Sequence, residues 1–209
     1  MKNLTFFFAV CLLSFTTTFA QSSKTYDLDD FNAIAISNAA DVVFTQGPQS
    51  VVVSGPQVLI DRLELEVKNK SLNISSKQGN WDDWNKDGGL TFQISAVNLK
   101  ALAISGSSDF AFEGPFKADG FSLTVSGSGD VTTENDILLG VSNMVISGNG
   151  DVELRGTCQK LTLVNSGNGD LEADDLVIQN ANVVNSGNGD VEINVTEKIF
   201  TDLFFIIFW

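Results

Sequence analysis

One hexapeptide recurs five times along this chain, and no other feature constrains the fold so tightly. Residues 105–110 read SGSSDF, 126–131 SGSGDV, 147–152 SGNGDV, 166–171 SGNGDL and 186–191 SGNGDV. Their serines, Ser105, Ser126, Ser147, Ser166 and Ser186, are spaced by 21, 21, 19 and 20 residues. A fixed period of this length is the signature of a structure built by stacking one unit on the next. Each copy is flanked by alternation. Phe121, Leu123 and Val125 precede one corner, and Val152 and Leu154 follow another. A period of two marks a half-buried strand, and it resumes on the far side of every glycine-rich hexapeptide. Two or three short strands per coil of about 20 residues, stacked at strand spacing, make a parallel β-helix. The expected fold is therefore an all-β solenoid with SGxGD coils over residues 101–198, preceded by a β-rich head over 24–100.

The hexapeptide itself reads as a corner. Glycine tolerates positive φ, which a sharp turn between strands can demand. Nine of the 18 glycines lie in the five copies. Asp109, Asp130, Asp151, Asp170 and Asp190 are placed to accept hydrogen bonds from nearby backbone N–H groups, as the serines do more weakly. Stacking lines these side chains up as a structural ladder along one edge. In the last two copies Asn165 and Asn185 stand where earlier copies carry Ile104, Val125 and Ile146. If that position points inward, the two amides form a short internal stack that satisfies itself.

The ends differ from the repeat. Residues 1–20 combine Lys2, an apolar run and small residues before Gln21, the pattern of a secretory signal peptide. The run is too short to span a bilayer, so no transmembrane segment is expected. Cleavage would remove Cys11 and leave Cys158 as a lone buried thiol. At the other end, residues 199–209 hold four phenylalanines, where 21–198 hold seven. Another SGxGD is due near position 206, and the chain reads Ile206, Ile207, Phe208 and Trp209 instead. The expectation is a truncated or frameshifted repeat, with 21–198 as the single folded domain.

Within the head, residues 63–74 carry two alternating runs around Asn69 and Lys70, a hairpin pattern. Val58 to Asp61 suits a short helical turn. Residues 79–89 (GNWDDWNKDGG) are the one segment whose residue types suggest recognition. Trp81 and Trp84 can stack on sugar rings while Asp82 and Asp83 accept hydroxyls, or the indoles simply pack against the solenoid. The opening FNAIAI strand, DVVFTQG at 41–47, LEVKNKSLNI at 65–74 and the SGSGD coils together resemble the auto-transporter adhesin, head GIN domain family of bacterial envelopes. That resemblance covers about 27–198. It implies an exported β-helical domain at the periplasm, outer-membrane surface or cell exterior, with an adhesive role toward a surface glycan or protein.

Composition closes off other functions. The chain has 26 acidic and 12 basic residues and a net charge of −14, so it lacks the basic surface that binds nucleic acid. It contains no histidine, which removes histidine-based triads and histidine metal sites. No cofactor is expected. Calcium shared between neighbouring aspartates is the alternative, but one Asp per coil offers few of the six to eight oxygens that ion takes. Polysaccharide-active enzymes also use β-helices, yet no carboxylate pair or paired arginine stands out here. The expected function is a non-catalytic binding module.

Overall fold

Period-two alternation on both sides of each corner becomes three parallel sheets wrapped around one apolar interior. The computed structural model describes residues 21–77, 89–203 and 207–208. It is a β-solenoid of about five turns with, among the described residues, one short helix, Gln57–Ile60. Sheet I holds the strands that enter the SGxGD corner, and sheet II those that leave it. Sheet III closes the third side. A regular coil runs from Val131–Thr133 in sheet II into Ile137–Ile146, whose first half lies in sheet III and second half in sheet I. Pairing is parallel and in register: Phe121, Leu123 and Val125 lie beside Ser142, Met144 and Ile146, which lie beside Leu161, Leu163 and Asn165.

Because the register repeats, inward positions form continuous files. Leu102, Leu123, Met144, Leu163 and Val183 stack in sheet I, and Phe110, Val131, Val152, Leu171 and Val191 in sheet II, all buried. Burying each such side chain is worth about 1.5–3 kcal/mol, and stacking is the way a 20-residue coil obtains it. Toward the head, aromatic rings fill the interior. Phe44, Phe110, Phe112, Phe116 and Phe121 form one cluster with ring centroids 4.8–6.1 Å apart.

The head belongs to the same stack, in an order the sequence does not follow. Ala33–Ile36 lies between Ser71–Ser76 and Ala101–Ile104 in sheet I. Asp41–Gln46 likewise lies between Thr91–Ala96 and Asp109–Phe112 in sheet II. The later coil is thus the outer one. Its edges are closed by antiparallel strands: Ser50–Pro56 on Thr91–Ala96, Gln21–Tyr26 on Ser50–Pro56, and Leu63–Lys68 on Ser71–Ser76. The last pair is the expected hairpin, turning through Asn69 and Lys70 at positive φ (50° and 61°). The helical turn buries Leu59 and Ile60. The antiparallel strands cover the edges of the outermost coil, and the open edge passes to the short strands Gln21–Tyr26 and Leu63–Lys68. Sheet III starts at residues 116–118, and there a side chain substitutes for a strand. Gln46 accepts from Lys117 N through Oε1 (2.9 Å) and donates Nε2 to Lys117 O (3.0 Å), as a neighbouring peptide would.

At the far end, the strand Val191–Leu203 carries residues 199–203 in register with 181–185, so the phenylalanine-rich segment begins inside sheet I. Ile199 packs against the core and Phe200 points outward, 66% exposed. Among the described residues no helix is long and apolar enough to cross a membrane.

Candidate functional site

The corner glycines are needed for a reason other than the expected one. Among the described residues, the glycines at positive φ are Gly55, Gly89, Gly114 and Gly156, and none belongs to a hexapeptide. What excludes a side chain is the coil beneath. A Cβ on Gly127 would run into the carbonyl oxygen of Gly106, and one on Gly148 into that of Gly127. The second glycine of the motif meets the same obstacle: Gly150 faces the carbonyl of Gly129, and Gly169 that of Gly150. Backbone lies on backbone at every corner, which only glycine permits. Ser108 replaces the second glycine in the first copy, where the neighbouring coil is the irregular head. It is fully buried there, and its hydroxyl donates to Asn38 O at 2.6 Å.

Outward side chains of the motif fall into parallel files one strand spacing apart. Asp109, Asp130, Asp151 and Asp170 each accept, through Oδ1, the backbone N–H of the next aspartate, at 3.1, 2.8, 2.8 and 2.7 Å. The last donor is Asp190. Each carboxylate therefore sews one corner to the next. The central position of the motif makes an amide file: Asn168 donates to Asn149 at 2.8 Å, and Asn188 to Asn168 at 2.9 Å. Ser147 and Ser126 are in hydroxyl contact at 3.4 Å, and Ser105 donates to Ile36 O. Ser166 and Ser186 occupy the same file, with Ser186 N bonded to Asn165 O.

Asn165 and Asn185 do point inward and do stack, but their amides serve their own corners. Asn165 donates Nδ2 to Gly169 O at 3.0 Å and accepts Gly167 N at 3.1 Å, while Asn185 donates to Gly189 O at 2.9 Å. The amide clamps the turn it precedes, so the expected pairing between the two side chains gives way to a shorter local reach. This is a role in the fold.

Beside the aspartates runs a second acidic file, Glu153, Glu172 and Glu192, paired in register. The Glu172 carboxyl is held above its ordinary range by partial desolvation and then by the charges of Glu153, Glu192, Asp151 and Asp170. Among the described residues no three acidic or thiol side chains gather into a metal-holding group. Cys158 is buried, and desolvation pushes its thiol up to about 11, which keeps it protonated and unreactive near neutrality.

Trp81, Asp82, Asp83 and Trp84 lie outside the described residues. The anchors of their segment are defined. It leaves sheet I after Ser71–Ser76 and re-enters sheet II at Thr91–Ala96, with Lys77 N bonded to Arg62 O and Asp41 N to Leu90 O. In the outermost coil the described residues on either side, up to Lys77 and from Gly89, flank the connection between sheets I and II that SGxGD makes in the regular coils. Sequence spacing could not show this, because the outer coil is the second in chain order.

The comparisons agree with this architecture. The family described as "Putative auto-transporter adhesin, head GIN domain" matches residues 30–203, most of the chain, which therefore belongs to that family. A putative adhesin from Bacteroides fragilis superposes with a TM-score of 0.81 at 23% identity, covering 87% of this chain and 84% of that one. A putative lipid binding protein from Parabacteroides distasonis gives 0.62 at 18% identity, over 87% and 94% of the two chains. A putative adhesin from Parabacteroides merdae gives 0.59 at 16%, over 90% and 93%. At these identities the likeness is one of fold. A search among curated proteins found no match.

Proposed function

We propose that this member of the head GIN domain family is an exported binding module of the bacterial cell envelope, engaging a surface glycan or protein without transforming it. The observation that carries this reading is the one-dimensional repetition of the outer surface. Serine, asparagine, aspartate and glutamate side chains recur at strand spacing in rigid files. Such a surface offers many equivalent hydrogen-bonding groups in a row, which suits a repetitive partner. Catalysis instead needs a few unlike groups converging on one atom. The adhesin family supports the reading, and the signal-peptide pattern of residues 1–20 supports export. The Trp81–Trp84 segment has the residue types, two tryptophans and two aspartates, whose aromatic faces and acceptors sugars take.

The test is retention of the purified mature chain (residues 21–209) on a glycan array and in a pull-down from cell surfaces. Saturable binding that weakens at least tenfold in Trp81→Ala/Trp84→Ala is the expected result. Undiminished binding by that variant would remove the tryptophan segment from the account.

A further inference from the structure

A seam groove gathers three lysines beside two aspartates. Two cavities of about 490 and 280 Å³ adjoin where the head coils meet the first regular coil. They share Asn98 and Lys100. Lys117 lines the first and Lys70 the second. All three lysines are exposed, and none forms an ion pair among the described residues, whereas Lys68 and Arg155 are paired with nearby carboxylates. In a chain of net charge −14 such a grouping stands against the background. It also lies away from the acidic ridge. Lys100 immediately precedes strand Ala101–Ile104, and the SGxGD corner follows that strand, so cations and anions occupy opposite edges of sheet I.

Spacing and lining narrow the ligand. Lys70 and Lys100 are two rungs apart in one stack, because Asn32 N bonds to Lys70 O at 2.9 Å and Lys100 N to Asn32 O at 2.7 Å. Two rungs are roughly 10 Å, so the cations suit charges carried at intervals along an extended chain. Between them the Asn32 and Asn98 side chains make no hydrogen bond within the described residues, leaving two amides able both to donate and to accept. Asp30 lines one cavity and Asp119 the other, acceptors that a hydroxyl-rich ligand can use and a bare polyanion cannot. The exposed side chain of Val97 (62%) gives an apolar contact at the second cavity.

Resting on the binding-module reading, we infer that this groove is the site for an acidic oligosaccharide, a chain of hydroxyl-bearing sugars with carboxylates at intervals. Lys70, Lys100 and Lys117 take the carboxylates, and Asn32, Asn98, Asp30 and Asp119 take the hydroxyls. An acidic peptide would also meet the lysines, but it has few hydroxyls for the free amides and carboxylates.

Calorimetry with the full mature chain tests this using three probes: oligogalacturonate, its methyl ester of the same length, and poly-glutamate. The expected result is salt-sensitive binding of oligogalacturonate, at least tenfold weaker for the ester and for poly-glutamate. Lys100→Gln/Lys117→Gln should weaken it at least tenfold, with an unchanged melting temperature. Lys160→Gln, a cation outside the groove, should leave it unaltered. Equal affinity for the ester, preference for poly-glutamate, or undiminished binding by the double variant would each overturn the assignment. If binding survives the lysine changes and is lost in Trp81→Ala/Trp84→Ala, the groove assignment fails and the module reading stands. If no glycan or protein is retained by the unaltered chain, the module reading itself fails.

Discussion

At the scale of single residues, the motif's glycines separate two requirements that look identical in sequence. A corner glycine can be there for positive φ or for lack of a Cβ, and here the second holds. Gly127→Ala would drive its Cβ against the Gly106 carbonyl, a backbone atom held in register on both sides. Overpacking of that kind costs about 3 kcal/mol, equivalent to a melting temperature lowered by roughly 6–12 °C in a chain of this size. Gly47→Ala is the control: nothing lies within 4 Å of its Cβ and its φ is not positive. It should melt within about 1–2 °C of the unaltered chain, since substitutions away from such features stay within about 0.5 kcal/mol. Equal melting of the two variants would refute the steric account. The SGxGD spacing made the corners legible without any structure. Their mechanism was not legible, because a Cβ clash depends on the coil underneath. Ser108 shows the same limit. It reads as a lapse in the motif until its buried bond to Asn38 is seen.

At the scale of the strand and corner, stacking in register brings like charges together, and the fold tolerates this because the ridge is open to water. The Asp file offsets part of the repulsion by accepting a backbone N–H at each step. Among the described residues the Glu file shows no such bond, and the Glu172 carboxyl is held above its ordinary range by partial desolvation and then by the charges of Glu153, Glu192, Asp151 and Asp170. A carboxyl raised in the folded state contributes stability that is present below its unfolded value and is lost as pH rises through the folded one. Glu172→Gln should therefore match the unaltered chain at pH 3 and melt higher than it at pH 7. The gap should shrink as salt screens the neighbouring charges. Identical melting at both pH values would show that the file carries no repulsion. The outward setting of these glutamates was readable from alternation. The inward asparagines were readable in direction only, since the choice between a partner amide and the local turn rests on how closely each corner folds back.

At the scale of the whole molecule, the chain is one stack closed at the head by antiparallel strands and carrying different chemistry on different edges. Periodicity revealed the coils of residues 101–198, and the resemblance of the head to a known family revealed its company. What neither could reveal is the insertion of residues 33–46 beneath the later coil of residues 71–96. That inversion creates the seam where Lys70, Lys100 and Lys117 collect. The seam groove thus arises from chain order being different from stacking order. The central claim is that this surface binds and does not transform. Incubation of residues 21–209 with the glycans they retain, followed by mass spectrometry of those glycans over time, tests it most directly. Saturable binding with every glycan recovered at its original mass is the predicted result, and progressive shortening of the bound glycan would contradict it.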